Sequence, residues 1–174
     1  KELVDILFFG YGKVCNGPFL PDSFAYNDEV QTPVQDINKA KELLKEAGYD
    51  ENNPFTFEIV TNTGNDIRIN AAQILQYQLQ KSGIIMNIRV MEWQAFLNTI
   101  VHPRKFEAVL LGWSLALMPD AYPLWHSSSA KLGGFNLVSY ENKKVDELIE
   151  KGSSTINRDE LGKIYKEIFK TINE

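Results

Sequence analysis

The order of apolar patterns along the 174-residue chain predicts an α/β fold built on a mainly parallel sheet. Three strand-like segments alternate with segments whose apolar residues recur at helical spacing. The connections between these segments are only a few residues long, which is typical of βαβ units with parallel strands. We expect residues 1–174 to form a single α/β lobe with helices in its C-terminal third.

The alternation of apolar and polar residues, and the length of each apolar run, identify the individual strands and helices. Apolar and polar residues alternate over residues 55–61 and 84–90, whereas residues 106–111 form a short apolar run typical of a buried strand. The helices that alternate with these strands keep their apolar residues on one face. They are predicted at residues 37–47 (between an Asp36 cap and Gly48), at 66–82 (before Gly83) and at 93–100.

The two ends of the chain show contrasting patterns. The first 35 residues are interrupted by glycine and proline, which predicts extended and irregular structure. Near the other end, Asn142 is expected to cap a helix over residues 143–151 that ends at Gly152. Asn157 and Glu160 suit a capping box for a last helix over residues 158–172.

Composition and charge exclude several classes of function. The net charge of −5, with lysines interspersed among acidic residues, argues against binding to a nucleic-acid backbone. A single cysteine, Cys15, forms neither an internal disulfide nor a cysteine-based metal cluster, and His102 and His126 stand far apart. We therefore expect no bound metal and no cofactor. No apolar run approaches the roughly 20 residues that span a bilayer.

The glycine-containing segment at residues 10–17 matches nucleotide-binding motifs only in part. A dinucleotide fingerprint needs a third glycine where Cys15 stands, and a helix should follow where the chain has Pro18 and Pro21. A phosphate-binding loop needs lysine at the position of Pro18. We interpret the segment as a turn-rich connector.

Serines near histidine or after a strand raise the possibility of hydrolase chemistry. Ser114 follows the third predicted strand, but Trp113 and Leu115 beside it are too large for the sharp turn of a nucleophile elbow. The serines at 127–129 lie next to His126, and we interpret them as loop-capping residues. We expect no catalytic residue, while an α/β hydrolase-type domain stays open as an alternative of another class.

The stretch 112–128 is the most informative part of the sequence. It contains two tryptophans, a tyrosine and two prolines, and the prolines prevent a long regular element. Aromatic rings at the end of a buried strand are either covered by the fold or available to a ligand. Trp93 and Phe96 are expected in the core, whereas for Trp113 and Trp125 both a core position and a position lining a cleft stay open.

The chain resembles the extracytoplasmic solute-binding proteins of ABC importers, in particular the oligopeptide/dipeptide-binding family, family 5. The resemblance consists of several short segments that follow one another in the same order as in the family. The resemblance extends over almost the whole chain, although each segment alone is common in proteins. The matching segments are Gly17-Pro18-Phe19-Leu20-Pro21, residues 40–49, residues 71–79, Gly83-Ile84, Glu92-Trp93 with Phe96, residues 106–113, and Asn136, Tyr140, Asn142 and Val145-Asp146.

The resemblance implies a type II periplasmic-binding-protein fold, in which two lobes close on a ligand about a hinge. This chain would be the second, C-terminal lobe, excised from the two-lobed protein. The implied partners are a peptide or oligosaccharide ligand, the first lobe of the same protein and the permease subunits of the importer, but no nucleic acid. A monomer is expected, placed outside the cytoplasm in a periplasm or on the outer face of the membrane by a lipid anchor.

The resemblance and the fold together suggest where the ligand binds. Ligands of parallel α/β sheets lie beyond the carboxyl ends of the strands, so the residues after the third strand should reach the mouth of the cleft. The expected ligand-binding residues are Gly112, Trp113, Ser114, Leu115, Ala116 and Trp125, with Asn136 and Tyr140 in support.

One position departs from the family's pattern. Family members that bind a peptide with a free α-amine commonly carry an aspartate three residues after this tryptophan, as the partner of the ammonium group. Here that position is Ala116, and Asp120 is expected to cap a short helix. Peptide import is the main expectation. Oligosaccharide binding is the alternative, since Trp113, Tyr122 and Trp125 suit sugar stacking, whereas the scarcity of histidine disfavours nickel.

Overall fold

The computed structural model describes residues 1–116 and 119–174, which form two compact units. The first unit consists of Lys1–Gly12 and Val34–Gly112, and the second of Lys13–Pro33 and Trp113–Glu174. Leu117 and Met118, which belong to the aromatic stretch 112–128, lie outside the described residues. The assignment of residues 1–174 to a single lobe stays a prediction.

A three-stranded parallel sheet is the framework of the first unit. Its strands are β1 (Thr56–Asn62), β2 (Ile85–Met91) and β3 (Ala108–Val109), in the order β2-β1-β3. Residues 59–62 of the central strand β1 are all buried, so both faces of the sheet are covered there. The predicted α/β class with a parallel sheet is confirmed.

Strand β3 is shorter than the predicted run 106–111 because side chains take over hydrogen bonds at both of its ends. The Glu107 carboxylate Oε2 accepts the backbone N–H of Glu58 at 2.7 Å, where a longer β3 would offer a carbonyl. Beyond the strand, the Thr61 hydroxyl donates to the Leu110 carbonyl at 3.0 Å. Regular strand structure is therefore confined to two residues of β3, and just beyond them the Leu110 N–H still donates to the Val60 carbonyl at 3.0 Å.

Four helices belong to the first unit beside this sheet. They are α1 (Glu2–Leu7), α2 (Ile37–Glu46), α3 (Asp66–Gln80) and α4 (Trp93–Phe96), and α4 continues as a π-helical turn over Leu97–Val101. Helix α3 packs on β1 and β2, and α4 packs on β1. The predicted Asp36 cap is confirmed, since its side chain accepts the Lys39 N–H at 2.8 Å.

Two predictions for the first unit are wrong. Helix α1 forms in a segment predicted to be irregular, and the Gln78 amide of α3 donates to the Glu2 carboxylate at 2.6 Å. This contact between distant residues compensates for a local sequence with weak helical pattern. Trp93 is 38% exposed instead of buried, whereas its predicted partner Phe96 is fully buried.

The second unit is built around a pair of C-terminal helices. Its regular elements are α5 (Tyr122–Trp125), a 3₁₀ turn at Ser127–Ser129, α6 (Lys143–Ser154) and α7 (Arg158–Asn173). Helices α6 and α7 pack together and enclose a core with the segment near Phe19. The buried members of this core are Phe19, Ala25, Ala121, Val145, Ile149, Ile164, Ile168 and Phe169.

The prediction that Gly152 ends α6 is wrong. The helix continues to Ser154, and Gly152 lies buried inside it. A Cβ atom at this position would lie 3.3 Å from Tyr165 Cε2 and 3.5 Å from Ile164 Cγ2. The glycine therefore allows α6 to approach α7 closely.

Candidate functional site

A cavity of about 340 Å³ in the second unit contains most of the predicted ligand-binding residues. Two segments far apart in sequence form it, one at residues 18–23 and the other at residues 113–125, with Phe135 completing the wall. Its described lining residues are Pro18, Phe19, Leu20, Asp22, Ser23, Trp113, Ser114, Leu115, Ala116, Pro119, Asp120, Pro123, Leu124, Trp125 and Phe135. The cavity is therefore mainly apolar, with two carboxylates.

Aromatic side chains shape this cavity. Trp113 is 50% exposed and meets the Phe135 ring edge-to-face, with centroids 5.8 Å apart and an interplanar angle of 90°. Trp125 is more buried and stands nearly perpendicular to Tyr140, at 5.5 Å and 86°. Such pairs fix the orientation of both rings. The half-exposed Trp113 thus presents a rigid apolar surface to whatever occupies the cavity.

The backbone of residues 113–116 is available for hydrogen bonding. These residues are exposed and belong to neither a helix nor a strand. Within the described part of the chain, none of their N–H or C=O groups has a hydrogen-bond partner. An extended segment with unpaired backbone groups can pair with the main chain of a bound molecule.

The two carboxylates of the cavity differ in their surroundings. Asp22 forms an ion pair with Lys13. Asp120 accepts the Tyr122 N–H through Oδ1 at 3.0 Å from the position before Ala121, which is the N-cap residue of α5. Among residues 1–116 and 119–174, no cationic side chain lies within ion-pair distance of Asp120. Burial raises the pKa of the Tyr165 phenol, and the negative charge of Asp120 contributes further.

Asn136 and Tyr140 do not belong to the described cavity lining. Asn136 is fully buried, and its Nδ2 donates to the carbonyls of His126 at 3.2 Å and Tyr140 at 2.9 Å. Its Oδ1 accepts the Tyr140 N–H at 2.9 Å. Asn136 thereby braces the loop that carries Phe135, and the Tyr140 ring supports Trp125. Direct ligand binding by either residue stays a prediction.

Gly112 belongs to the first unit, where Arg68 lies against it. A Cβ atom on Gly112 would be 3.3 Å from Arg68 Nη2. Arg68 Nη1 also donates to Asn62 Oδ1 at 2.7 Å, and its Cζ lies 5.8 Å from the centroid of the Trp93 ring. The Arg68 guanidinium therefore lies close to the space that a side chain at position 112 would fill.

The serines beside His126 cap a loop. His126 Nδ1 accepts the Ser128 backbone N–H at 3.1 Å and lies 2.9 Å from Ser128 Oγ, while Nε2 lies 3.4 Å from Glu150 Oε1. Ser127 donates its N–H to Asp146 at 2.9 Å. Although the two ring nitrogens of His126 lie near Ser128 and Glu150, the backbone N–H of Ser128 occupies Nδ1, so this nitrogen is not a free base for the serine hydroxyl.

Over residues 1–116 and 119–174, no three side chains of His, Cys, Asp or Glu are grouped so as to hold a metal ion. Within those ranges no helix has the length and apolar character that a bilayer crossing requires.

Comparison with known proteins connects this chain to one family. The model of the bacterial extracellular solute-binding proteins, family 5, matches residues 1–135. The oligopeptide-binding protein AppA of Bacillus subtilis is 34% identical over 187 residues, which cover 100% of this chain and 34% of AppA. The structure of AppA in complex with a nonapeptide superposes with a TM-score of 0.86 and 33% identity, covering 99% of this chain and 36% of that one.

Other relatives bind different solutes. Heme-binding protein A of Haemophilus influenzae is 27% identical over 170 residues, covering 96% of this chain and 31% of that protein. The structure of NikZ from Campylobacter jejuni with Ni(L-His) has a TM-score of 0.81 and 29% identity, covering 96% of this chain and 36% of NikZ. The chain spans about a third of the length of these relatives. It belongs to family 5 of the bacterial extracellular solute-binding proteins, a family of binding proteins and not of enzymes.

Proposed function

We propose that this chain is a ligand-binding lobe of the oligopeptide-binding component of an ABC importer. The unpaired backbone of residues 113–116, exposed along the apolar cavity, is the observation that carries the proposal. Main-chain hydrogen bonds are common to all peptides, so such a segment binds peptides of varied sequence. The similarity to AppA, which was solved with a nonapeptide, supports the same ligand class.

The cavity supplies two kinds of contact beside the backbone. Its apolar walls, including Trp113 and Phe135, suit a large apolar side chain of the peptide. Asp120 lies in the same cavity as Ala116 and has no cationic partner among the described residues. We therefore assign to Asp120 the role of partner for the peptide ammonium, in place of the carboxylate that position 116 lacks.

The complete protein would work by closure of two lobes. A ligand that contacts both lobes stabilises the closed form over the open one by its difference in affinity for the two. The permease subunits would then receive the peptide from the closed, monomeric protein. The same proposal places the protein outside the cytoplasm, in a periplasm or on the outer face of the membrane through a lipid anchor. The description of the family as extracellular supports this location.

Asp120→Asn tests the assignment of the ammonium partner. Asparagine still caps the Tyr122 N–H but lacks the charge, so peptides with a free amine should bind about tenfold more weakly, the typical loss for one charge-assisted hydrogen bond. N-acetylated peptides should bind the variant and the wild type equally well. The measurement is isothermal titration calorimetry on the intact two-lobed protein with matched peptide pairs.

Asp22→Asn is the matched control. Asp22 lines the same cavity but is already paired with Lys13, so its variant should keep the preference for free-amine peptides. An unchanged amine preference in Asp120→Asn would refute the role of Asp120. Failure of the wild type to bind any peptide would refute peptide binding itself.

A further inference from the structure

The imidazole of His126 caps the 3₁₀ turn that follows α5 in the second unit. Its side chain is 8% exposed, and its ring stacks on the Tyr122 ring with centroids 4.2 Å apart and an interplanar angle of 17°. Nδ1 accepts the backbone N–H of Ser128 at 3.1 Å. A ring nitrogen that accepts an N–H carries no proton, so this cap requires a neutral histidine with its proton on Nε2.

A carboxylate caps the same turn one residue earlier. Asp146 of α6 accepts the Ser127 N–H through Oδ1 at 2.9 Å, and the same oxygen lies 3.9 Å from His126 Nδ1. Beside the other ring nitrogen, Glu150 Oε1 lies 3.4 Å from Nε2. The titratable groups that face His126 are therefore Tyr122 on α5 and these two carboxylates on α6.

Protonation of His126 would remove both caps of the turn. A proton on Nδ1 converts the acceptor of the Ser128 N–H into a donor, so two N–H groups would point at each other. The charged ring would also attract Asp146, the acceptor of the Ser127 N–H, across only 3.9 Å. Neutral histidine thus favours the capped turn, whereas the protonated ring favours an ion pair with Asp146.

The turn is connected to the cavity wall through Tyr122. Ser129 Oγ donates to the Tyr122 carbonyl at 3.0 Å, and Ser128 Oγ lies 2.9 Å from the Tyr122 hydroxyl. Tyr122 is the first residue of α5, and the other three residues of this helix, at 123–125, line the cavity. Loss of the two caps would therefore displace the short helix that forms this wall.

We propose that His126 is a pH-sensitive switch, which holds α5 in the binding geometry when neutral and releases it when protonated. The inference rests on the proposed peptide ligand, because the affinity for peptide is the property that the switch would control. Peptide would be held near neutral pH and released as the pH falls through the range in which histidine titrates, about pH 8 to 5.

Calorimetry on the intact two-lobed protein tests the switch. The peptide has an acetylated N-terminus, an amidated C-terminus and no ionisable side chain, so that only the protein titrates. Its affinity should be about fivefold lower at about pH 5.5 than at about pH 7.5, a loss that corresponds to one hydrogen bond. Equal affinity at the two pH values would overturn the proposal.

Two matched substitutions distinguish His126 from the other titratable groups of the protein. His126→Asn supplies an amide oxygen close to the position of Nδ1 but takes up no proton, so its peptide affinity should be the same at both pH values. His102→Asn changes the other histidine of this chain, an exposed residue of the first unit, and should keep the full pH dependence. An unchanged pH dependence in His126→Asn would overturn the assignment.

A second readout uses the wild type without peptide. The amide resonances of Ser127 and Ser128 should shift in step with the protonation of the His126 ring, followed by NMR of the imidazole, whereas that of Ser82 in the first unit should not. Serine resonances that do not follow the ring would overturn the switch whether or not a peptide binds. Failure to bind any peptide, together with a coupled titration, would instead refute the proposed ligand and support the switch in the turn.

Discussion

Asn136→Ala should destabilise the second unit more than any other single change considered for this chain. The substitution removes two donors and one acceptor and leaves the Tyr140 carbonyl and the Tyr140 N–H without their partner, whereas the His126 carbonyl keeps the Ser129 N–H at 3.0 Å. Each buried polar group left unpaired costs about 1–3 kcal/mol, so we expect the free energy of unfolding to fall by about 3 kcal/mol or more. Urea unfolding followed by tryptophan fluorescence measures this loss.

Peptide affinity should fall together with stability in Asn136→Ala, because the braced loop carries Phe135 into the cavity wall. Asn70→Ala is the control, since Asn70 is an exposed residue within α3. Its unfolding free energy should change by less than about 0.5 kcal/mol. A loss below about 1 kcal/mol in Asn136→Ala would show that the loop is held by other contacts.

Gly17→Ala should have the second-largest effect. A Cβ atom on Gly17 would lie 2.7 Å from both Cε atoms of the fully buried Phe169 ring and closer still to Cζ. The backbone there has little freedom to retreat, because the neighbouring Asn16 side chain donates to the Val30 carbonyl at 2.8 Å and accepts from Tyr26 at 2.9 Å. Overpacking of this kind costs about 1–3 kcal/mol, which the same urea titration detects.

Gly162→Ala provides the matched control for Gly17→Ala. Gly162 lies within α7 of the same unit, and a Cβ atom there meets no atom within 4 Å. Alanine should therefore stabilise the helix by about 0.5–1 kcal/mol. If both glycine variants gained stability, the close packing of residue 17 on Phe169 would be refuted.

Local pattern was enough to predict the main elements of the fold. The Asp36, Asn142 and Asn157 caps act through residues two or three positions away, so the sequence contains the whole interaction. Helix α1 and the burial of Gly152 depend on contacts with α3 and α7, which no local pattern reveals. The short β3 likewise depends on Glu107 meeting Glu58 from a distant strand.

Of the two segments that form the cavity, the sequence analysis predicted only one. Residues 113–116 were predicted from their place after the third strand and Trp125 from its aromatic ring, and they line the cavity. The opposite wall at residues 18–23 was not expected, although the motif Gly17-Pro18-Phe19-Leu20-Pro21 marked the segment as unusual. Arg68 carried no signal at all, since an arginine in the first turn of an amphipathic helix is normally a solvated residue.

Native mass spectrometry of the intact two-lobed protein, purified without added ligand, tests the central claim most directly. The protein should carry bound molecules that denaturation releases as a ladder of peptide masses, because backbone pairing along residues 113–116 accepts varied sequences. A series of masses spaced by hexose units, or a protein that carries no ligand and takes up none from a peptide mixture, would contradict oligopeptide binding.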